Sequence, residues 1–454
     1  MYSDDDRMVK IPVPCGKRTI DIHVPTENLI TDPVKAEDLL AVSSVKKATQ
    51  EALENPINSP PLSKLTKVGD KVVIAVGSII RPGKFRQIIL PGVIDKLYDS
   101  GIKHKDIRII DAVGSQTPDS YDSWMEMFGK DILDRFQVFN HDPVKDCVDL
   151  GKSEYGDPVQ TSKYVAEADL VIALDGIFPS NAGYTGGPKM FAVGTASLNT
   201  INSTHIPSCF YDESSRIGRY NGNKFRDHLN SVGKKAERES KSGKFFIINV
   251  VQNTKGEIAG IFSGDMMDAW SQACMMADKQ FKVKVPKAAD IVVIGAPHPH
   301  GITIFDLSAI MCFPEKMDPK SIVRKDGAEI IAATVEEPMI KGTAEYTFVQ
   351  TLKNSSDYHE VLQSGKDAEE KFLERGKMMP DGLSTAYRRA YTLKYLDGNV
   401  LVVGAKQPGL VRDILCTPVK DMESALTRAF RIVGEDAGIM VVPNIMEVIP
   451  QVKT

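Results

Sequence analysis

The chain reads LVIALDGIFPSNAGYTGGPK from Leu170 to Lys189, an apolar run followed by a glycine-rich turn. Five apolar residues in a row are typical of a strand that is buried on both faces of a parallel sheet. Gly183, Gly186 and Gly187 permit backbone angles that other residues avoid, and Pro188 suits the first turn of a helix. The stretch therefore predicts a strand, a tight loop whose N–H groups can approach an anion, and a helix that begins near Lys189.

Further apolar runs repeat this pattern in two series along the chain. The runs are Val72–Val76, Ile107–Asp111 and Phe245–Val250 in the first series, and Asp290–Ile294, Ala328–Ala333, Asn399–Val403 and Gly438–Val442 in the second. Strands that alternate with amphipathic stretches predict the α/β class. Because 454 residues exceed one ordinary core, we expect two α/β domains with mainly parallel sheets and an interdomain cleft.

The stretch Phe281–Pro286 separates the two series, is rich in lysine and ends in a proline. These features are typical of a domain boundary. We therefore expect an N-terminal cofactor-binding α/β domain over residues 1–283 and a C-terminal α/β domain over residues 284–454. This prediction allows the last residues of the chain to pack back on the first domain.

The composition is that of a soluble globular protein, with 42% hydrophobic and 26% charged residues. The 56 basic and 60 acidic residues are mixed along the chain and give a net charge of −4, so no field favours nucleic acid or an anionic membrane. The six cysteines are scattered singly, which favours a reducing compartment. The acidic start Met1–Asp6 does not match a signal peptide. We expect a cytoplasmic protein that binds neither nucleic acid nor membrane.

Lys189 and His205 are the two residues near this loop that can carry chemistry. Without further evidence, a lysine near the start of a helix is most often exposed to solvent. A single histidine is most often a surface residue or a helix cap. A P-loop is disfavoured because Pro188 precedes Lys189 and Met190 follows it, where that motif requires glycine and then serine or threonine. The residues alone leave open a surface role or a site that holds a phosphorylated cofactor together with a metal.

The run from Ala182 to Lys189, together with His205, resembles the AGYSGGxK…H signature of the lactate racemase family, the nickel-pincer nucleotide enzymes. Other segments resemble the same family in the same order: Arg81-Pro82, Ala112-Val113-Gly114-Ser115, His141-Asp142-Pro143, Ser263-Gly264-Asp265 and Val448-Ile449-Pro450-Gln451. The resemblance therefore covers most of the chain.

The resemblance implies a cofactor, the nickel-pincer nucleotide (pyridinium-3,5-bisthiocarboxylic acid mononucleotide nickel), attached to Lys189 as a thioamide. Two sulfurs and one ring carbon of the cofactor would bind the nickel, and His205 would complete the planar set that nickel(II) accepts. The enzymes of cofactor synthesis are the implied partners. The implied cofactor contacts are Gly183, Thr185, Gly186, Gly187 and Ser78.

The sequence departs from the family pattern where the general bases are expected. The resemblance implies two histidines on opposite sides of the substrate, but the matching positions hold Gln116 and Pro179. Glutamine cannot act as a base near neutral pH, although it can bind a hydroxyl or carboxylate by hydrogen bonds. Ser78 likewise stands where the family has an acidic residue.

Two other segments supply candidate catalytic residues. The stretch Pro297-His298-Pro299-His300-Gly301 follows a predicted strand, a position that carries ligands in open α/β sheets. We predict that His298 or His300 replaces the missing bases; the alternative is a solvated turn. Arg81 ends another strand and can form a two-pronged pair with a carboxylate or phosphate; its alternative is a surface ion pair.

These features predict an isomerase, a racemase or epimerase that inverts the hydroxyl-bearing carbon of a 2-hydroxy acid by reversible hydride transfer to the lysine-tethered cofactor. Loss of both family histidines favours a larger substrate such as a sugar acid. The alternative is a non-catalytic protein that binds the nickel cofactor or a nucleotide as a carrier. A nucleotide-dependent dehydrogenase fits less well, because no GxGxxG turn follows a strand near a domain start.

Overall fold

The computed structural model describes residues 8–81, 83–375 and 382–453, so Pro82 and the acidic stretch Met1–Asp6 lie outside the described residues. The strands are β1 (Met8–Gly16), β2 (Arg18–Pro25), β3 (Val72–Gly77), β4 (Ile107–Ala112), β5 (Gln137–Asn140), β6 (Cys147–Lys152), β7 (Pro158–Ser162), β8 (Leu170–Gly176), β9 (Pro179–Ser180), β10 (Gly183–Tyr184), β11 (Phe245–Gln252), β12 (Ile258–Gly264), β13 (Lys282–Val285), β14 (Ala289–Pro297), β15 (Val323–Ala332), β16 (Val400–Val403), β17 (Thr417–Val419), β18 (Ile439–Val442) and β19 (Ile449–Val452). The helices are α1 (Val45–Glu54), α2 (Phe85–Asp99), α3 (Tyr121–Phe128), α4 (Lys130–Arg135), α5 (Lys163–Glu167), α6 (Leu198–Thr204), α7 (Pro207–Phe210), α8 (Lys224–Glu239), α9 (Asp268–Phe281), α10 (Ile304–Ile310), α11 (Phe313–Lys316), α12 (Ala344–Lys353), α13 (Tyr358–Arg375), α14 (Leu383–Tyr395), α15 (Pro408–Asp413) and α16 (Met422–Val433).

The chain divides into two compact α/β units, each with its own sheet. The N-terminal unit contains residues 37–215 and 220–280, and the C-terminal unit contains residues 8–36, 216–219 and 281–453 of the described chain. Most strand pairs in the two large sheets are parallel, which confirms the predicted fold class. Within the described ranges, no helix combines the length and the apolar character that crossing a lipid bilayer requires.

The N-terminal unit is built on a sheet with the strand order β12-β11-β8-β3-β4-β5. Strand β12 runs antiparallel to β11, and the other neighbours are parallel. The register sets Ile74 beside Ile109 and Ile172, and none of the three is exposed. Phe85 and Leu90 of α2 pack into the same apolar core. These contacts explain the uninterrupted apolar runs, since central parallel strands are buried on both faces.

Polar residues lie at the carboxyl ends of these otherwise apolar strands. Asp111 lies near the end of β4, Asp175 near the end of β8, and Asn249 beside Asp175 in the register of β11. Gly77 ends β3 next to Asp175, and a Cβ at that position would collide with the Asp175 carboxylate. The carboxyl edge of this sheet is therefore crowded with polar groups, and it is the edge at which open α/β sheets hold ligands.

The C-terminal unit has a sheet with the order β17-β16-β15-β14-β1-β2, and β18 also pairs with β14. Strands β1 and β2 form an antiparallel hairpin. This hairpin joins β14 in parallel through Cys15, which pairs with Ala296, and Gly16, which pairs with Pro297. The side chains of one hairpin face enter the same core as Val293.

The first strands of the chain are the main difference from the expected domain organisation. The expected domain of residues 1–283 includes residues 8–36, which the structure instead places in the C-terminal unit. The physical reason is the apolar hairpin face, whose Val13 and Ile22 are fully buried among residues of the C-terminal sheet. The last strand, β19, pairs with β13 inside the C-terminal unit rather than with the N-terminal sheet.

This placement predicts where a truncation in the hairpin acts. Ile22→Ala removes a buried side chain, and the resulting cavity should lower the free energy of unfolding by about 2–5 kcal/mol. Hydrogen exchange should show lost protection in β1 and β14, while β3 and β8 keep theirs. Ile74→Ala is the matched control and should give the reverse pattern. Lost protection in β3 after Ile22→Ala would contradict the placement.

Candidate active site at the carboxyl edge of the N-terminal sheet

The glycine-rich loop leaves β8 and folds back on itself before the helical turn that follows. Strands β9 and β10 pair through Ser180 with Gly183 and through Pro179 with Tyr184. Pro179, which occupies the position of a family histidine, is buried in this short ladder. Gly183 has a φ of 78°, a left-handed conformation that glycine adopts without strain.

Two positions of the loop need glycine because the loop backbone lies too close to β11 and α9 to leave room for a side chain. Gly186 has a φ of 73°, and a Cβ there would lie 2.6 Å from the Asn249 Oδ1 atom. Gly187 has a φ of 58°, and its Cβ would lie 2.5 Å from the indole Cγ of Trp270. The loop therefore presses directly on β11 and α9, and other residues at these positions would force it outward.

Thr185 closes the base of the loop. Its hydroxyl donates to the Gly176 carbonyl at 2.5 Å and accepts from the Phe178 N–H at 2.9 Å. Its N–H donates to the Phe178 carbonyl at 3.0 Å, and its carbonyl accepts from the Trp270 indole at 2.9 Å. The Gly187 N–H donates to Asn249 at 3.3 Å. The backbone N–H groups of Thr185 and Gly187 thus donate to acceptors inside the protein. The predicted role of the loop in anion binding stays a prediction.

Arg226 of α8 holds the glycine-rich loop through hydrogen bonds to its backbone. Its guanidinium donates to the Tyr184 and Gly186 carbonyls, both at 3.0 Å, and to Asn230 at 2.8 Å. Its side chain has no exposed surface and lies over the Trp270 ring, 3.6 Å from the ring centroid. Burial lowers the pKa of Arg226 to about 9, which still leaves it protonated at neutral pH. The fork of donors turns two loop carbonyls inward and fixes the path of the loop towards Lys189.

Lys189 lies half-buried at the start of a π-helical turn, Met190–Gly194. This turn packs against β3 and β4. Its last residue accepts a hydrogen bond from the Gly114 N–H at 3.0 Å, and a Cβ on Gly114 would lie 2.8 Å from the Val193 carbonyl. The loop that carries Gln116 therefore abuts the turn that carries Lys189. Insertions of π-helical geometry are frequent at functional sites.

His205 follows α6 with its ring orientation fixed. Its backbone N–H and its ring Nδ1 both contact the Ile201 carbonyl, at 3.1 and 2.7 Å. Since a carbonyl oxygen only accepts, Nδ1 carries the proton and Nε2 of the neutral ring keeps its lone pair. The Thr204 hydroxyl lies 3.0 Å from Nδ1, and Phe225 packs edge-on with ring centroids 4.8 Å apart. This arrangement is the one that metal-binding histidines use to present Nε2.

The loop after β3 is held by a second buried arginine, Arg86 of α2. Its guanidinium donates to the carbonyls of Gly77 at 2.6 Å, Ser78 at 2.5 Å and Arg81 at 3.0 Å. Burial lowers the pKa of Arg86 to about 10. Ser78 is buried and Arg81 is half-buried at the end of this turn. The loop after β3 and the glycine-rich loop are thus held in the same way, by a buried guanidinium that donates to backbone carbonyls.

Asp175 connects the two loops electrostatically. Burial raises the pKa of Asp175, while the positive charges of Arg81, Arg86 and Lys189 oppose that increase. Burial lowers the pKa of Arg81, and Asp175 in turn opposes this decrease. Three cationic side chains therefore act on one point of the carboxyl edge, which suits a ligand that carries phosphate or carboxylate groups.

Polar atoms without partners surround the glycine loop. Among the described residues, no hydrogen-bond partner reaches three buried atoms: Ser180 Oγ, Asn181 Oδ1 and Asn249 Nδ2. Buried polar atoms of this kind are costly unless a ligand or water satisfies them. Within the same part of the chain, no three His, Cys, Asp or Glu side chains are grouped to hold a metal ion. The unsatisfied atoms of Ser180, Asn181 and Asn249 fit a ligand with polar groups of its own.

Comparison with known proteins finds lactate racemases among the relatives of this chain. Residues 15–218 match the model of the lactate racemase N-terminal domain. Lactate racemase of Thermoanaerobacterium thermosaccharolyticum is 26% identical over 452 residues, which cover 98% of this chain and 100% of that protein. Lactate racemase of Lactiplantibacillus plantarum is 25% identical over 452 residues, with 97% and 100% covered.

The solved structure of the lactate racemase apoprotein from Thermoanaerobacterium thermosaccharolyticum superposes with a TM-score of 0.79 at 25% identity, and it covers 98% of this chain and 100% of its own. The chain is a lactate racemase family homologue. A structure from Thermotoga maritima, with a TM-score of 0.66, 16% identity and 92% of this chain covered, shares the fold. The comparisons confirm the predicted resemblance and the two-domain α/β fold.

The candidate bases lie in the C-terminal unit of this lactate racemase homologue, whereas Lys189 and His205 lie in the N-terminal unit. His298 is exposed, and its N–H donates to the Gly16 carbonyl at 3.0 Å. His300 is half-buried, and burial, with a smaller contribution from His298, lowers its pKa to about 4. His300 is thus neutral at neutral pH, the state in which an imidazole can accept a proton.

Several site residues of the homologue escape sequence analysis. Asp175 and Asn249 have a usable signal, because a polar residue inside an apolar strand marks the carboxyl edge of a parallel sheet. Arg86 and Arg226 have none, since an arginine in an amphipathic helix is usually exposed. Their burial depends on carbonyl groups of distant loops, which a single sequence does not reveal.

The anchoring by Arg226 predicts a specific loss of stability. Arg226→Lys keeps the positive charge but loses the fork, so at least one loop carbonyl loses its donor. We expect the free energy of unfolding, measured by urea denaturation, to fall by about 2–4 kcal/mol. Arg238→Lys, an exposed change on the same helix, is the matched control and should stay within about 0.5 kcal/mol of the parent. Equal effects of the two changes would contradict the anchoring role.

Proposed function

We propose that this lactate racemase homologue is a racemase or epimerase that inverts the hydroxyl-bearing carbon of a 2-hydroxy acid, with a nickel-pincer nucleotide attached to Lys189. The observation that carries the proposal is the fixed ring of His205, whose Nδ1–H donates to a carbonyl, so that the lone pair a metal would use lies on Nε2. It stands in a chain that matches lactate racemases over nearly its whole length. Lys189 begins the turn that follows the glycine loop.

The residues at the site suit such a cofactor. Lys189 would supply the amine for its attachment, and His205 would supply the one protein ligand to nickel. The unpartnered atoms of Ser180, Asn181 and Asn249 would satisfy its polar groups. When bound, the cofactor would supply the hydride acceptor. The other proposed contacts are Gly183, Thr185, Gly186, Gly187 and Ser78.

Substrate binding in this proposal depends on the loops after β3 and β4. Arg81 would hold the carboxylate of the hydroxy acid in a two-pronged pair, with its position set by Arg86. Gln116, half-buried beside the turn of Lys189, would donate a hydrogen bond to a substrate hydroxyl. A base must accept the hydroxyl proton, and His298 and His300 stay the predicted candidates. A pKa of about 4 makes His300 a weak base.

We further propose a sugar acid or another large hydroxy acid as the substrate. Gln116 and Ser78 are hydrogen-bonding residues at positions where the family has a histidine and an acid. Additional substrate hydroxyls would use such donors and acceptors.

None of the six cysteines forms a disulfide. This supports a cytoplasmic location for the protein, where the enzymes of cofactor synthesis would be its partners.

A carrier that binds the nickel cofactor without catalysis is the second candidate. The observation that favours it is Pro179, which is buried in the β9–β10 ladder and has no group that can move a proton. Gln116 has none either near neutral pH. The carrier keeps the roles of Lys189 and His205, so cofactor binding does not separate it from the enzyme.

Attachment of the cofactor predicts two separable changes in protein made together with the cofactor-synthesis enzymes. Lys189→Ala should abolish the mass adduct seen by intact mass spectrometry, because the tethering amine is gone. His205→Ala should keep the adduct but lose most of the bound nickel, measured by metal analysis after gel filtration. Lys163→Ala, a change in an exposed ion pair, is the control and should keep both. If neither variant differs from the parent, the cofactor assignment is wrong.

Isomerase activity predicts a distinct outcome in deuterated solvent. Loaded protein incubated with a panel of hydroxy acids should give the inverted diastereomer by NMR, with the original hydrogen still on the inverted carbon. The reason is that a hydride leaves and returns without exchange, whereas an enolate would take up deuterium. The Lys189→Ala protein is the blank. Inversion with full deuterium incorporation would reject hydride transfer, and no inversion of any acid would favour the carrier.

A further inference from the structure

Asp111 is a buried carboxyl group that no part of the proposed reaction uses. It lies near the end of β4 with no exposed surface. Its Oδ2 atom accepts a hydrogen bond from the Trp124 indole at 2.9 Å, and its backbone carbonyl accepts from the His141 N–H at 2.9 Å. Its Oδ1 atom is buried, and no N–H or O–H donor of the described residues satisfies it. A buried charged oxygen without a donor is costly, so this atom needs an explanation.

A second carboxyl group, that of Asp119, lies at the other end of the loop that carries Gln116. Its Oδ2 accepts from the Ile79 N–H at 3.0 Å, in the loop after β3 that also carries Ser78 and Arg81. Its backbone is fixed by Asn140, which accepts from the Asp119 N–H at 3.0 Å and donates to the Asp119 carbonyl at 2.8 Å. Asp119 is thus the point where the loops after β3 and β4 meet.

The Asp119 carboxyl group acts on the Asp111 carboxyl group. Burial, then the charge and a side-chain hydrogen bond of Asp119, raise the pKa of Asp111 to about 8, and the Trp124 indole and Arg86 oppose the increase. Two carboxylates have only acceptors, so a hydrogen bond between them requires a proton. A proton on Asp111 Oδ1 would make that atom a donor to Asp119, which explains why no other donor reaches it.

We propose that Asp111 and Asp119 share one proton, and that this proton holds Asp119 against the end of β4, so that Asp119 can bind the Ile79 N–H in the loop bearing Ser78 and Arg81. Both aspartates are positioning residues in this proposal. Loss of the proton would leave two neighbouring carboxylates, and their repulsion would push Asp119 away from the end of β4. The inference goes beyond the proposed function, because it holds for an enzyme and for a carrier alike.

The direction of the pH dependence follows from the elevated pKa. The charged groups that face Asp111 are Asp119 on its own loop and Arg86 on α2, and the neighbouring His141 contributes its backbone N–H. The folded protein holds the proton more tightly than the unfolded chain, in which the pKa of Asp111 is 3.8. The stabilisation is therefore complete below that value and is lost as the pH rises through about 8.

Trp124 offers a direct readout, because its indole donates to Asp111. We expect the tryptophan emission of the parent to change with a midpoint near pH 8. Asp111→Asn mimics the protonated acid, since its amide can donate to Asp119 while its oxygen accepts from Trp124. This variant should lack the transition, and its Tm advantage over the parent should grow between about pH 6 and about pH 9. The second tryptophan, Trp270, is present in the parent and in the variant, so its emission is a background common to both.

Two further variants make the test decisive. Asp119→Asn removes the neighbouring negative charge, so the transition of Asp111 should move to lower pH. Asp122→Asn is the control, an exposed aspartate in the first turn of the helix that holds Trp124, and it should keep the parent transition. A transition that persists in Asp111→Asn, or one that Asp119→Asn leaves in place, would overturn the proposal. If Asp111→Asn does not fold, the shift in Asp119→Asn decides. No substrate or cofactor is needed, so failure here is distinct from failure of the proposed function.

Discussion

The candidate site depends on hydrogen bonds between two buried guanidinium groups and the backbone carbonyls of two loops. Arg86 binds the loop after β3, and Arg226 binds the glycine loop. Removing such a charge from water costs several kcal/mol unless its N–H groups all find acceptors. The loops supply these acceptors only in their observed paths. Each arginine therefore requires its loop, and each loop is held by its arginine.

This constraint explains how Lys189 and His205 reach their positions. Because Arg226 and Asn249 hold the glycine loop against the sheet, the next residues enter a helical turn that begins at Lys189. The Ile201 carbonyl holds the His205 ring in the tautomer that presents Nε2. The backbone at Lys189 and the ring of His205 are thus positioned by hydrogen bonds that involve backbone carbonyls.

Much of the fold could be read from the sequence, but its topology could not. Each expected strand is present, because an uninterrupted apolar run between turn residues has few other solutions in a parallel sheet. The β1–β2 hairpin was not assigned to the C-terminal unit, because its pairing with β14 joins residues far apart along the chain. At the site, the motif pointed to Lys189 and His205. The roles of Arg86, Arg226 and Asp111 could not be read, since they arise from burial and from partners that tertiary structure brings together.

The central claim is that Lys189 and His205 bind the same metal-containing cofactor. The most direct test is a crystal structure of protein produced together with the cofactor-synthesis enzymes. We expect a covalent bond from Lys189 Nζ to the cofactor and a bond from His205 Nε2 to its nickel, with Nδ1 still donating to the Ile201 carbonyl. Side chains that point to separate ligands, or a nickel bound through Nδ1, would contradict it.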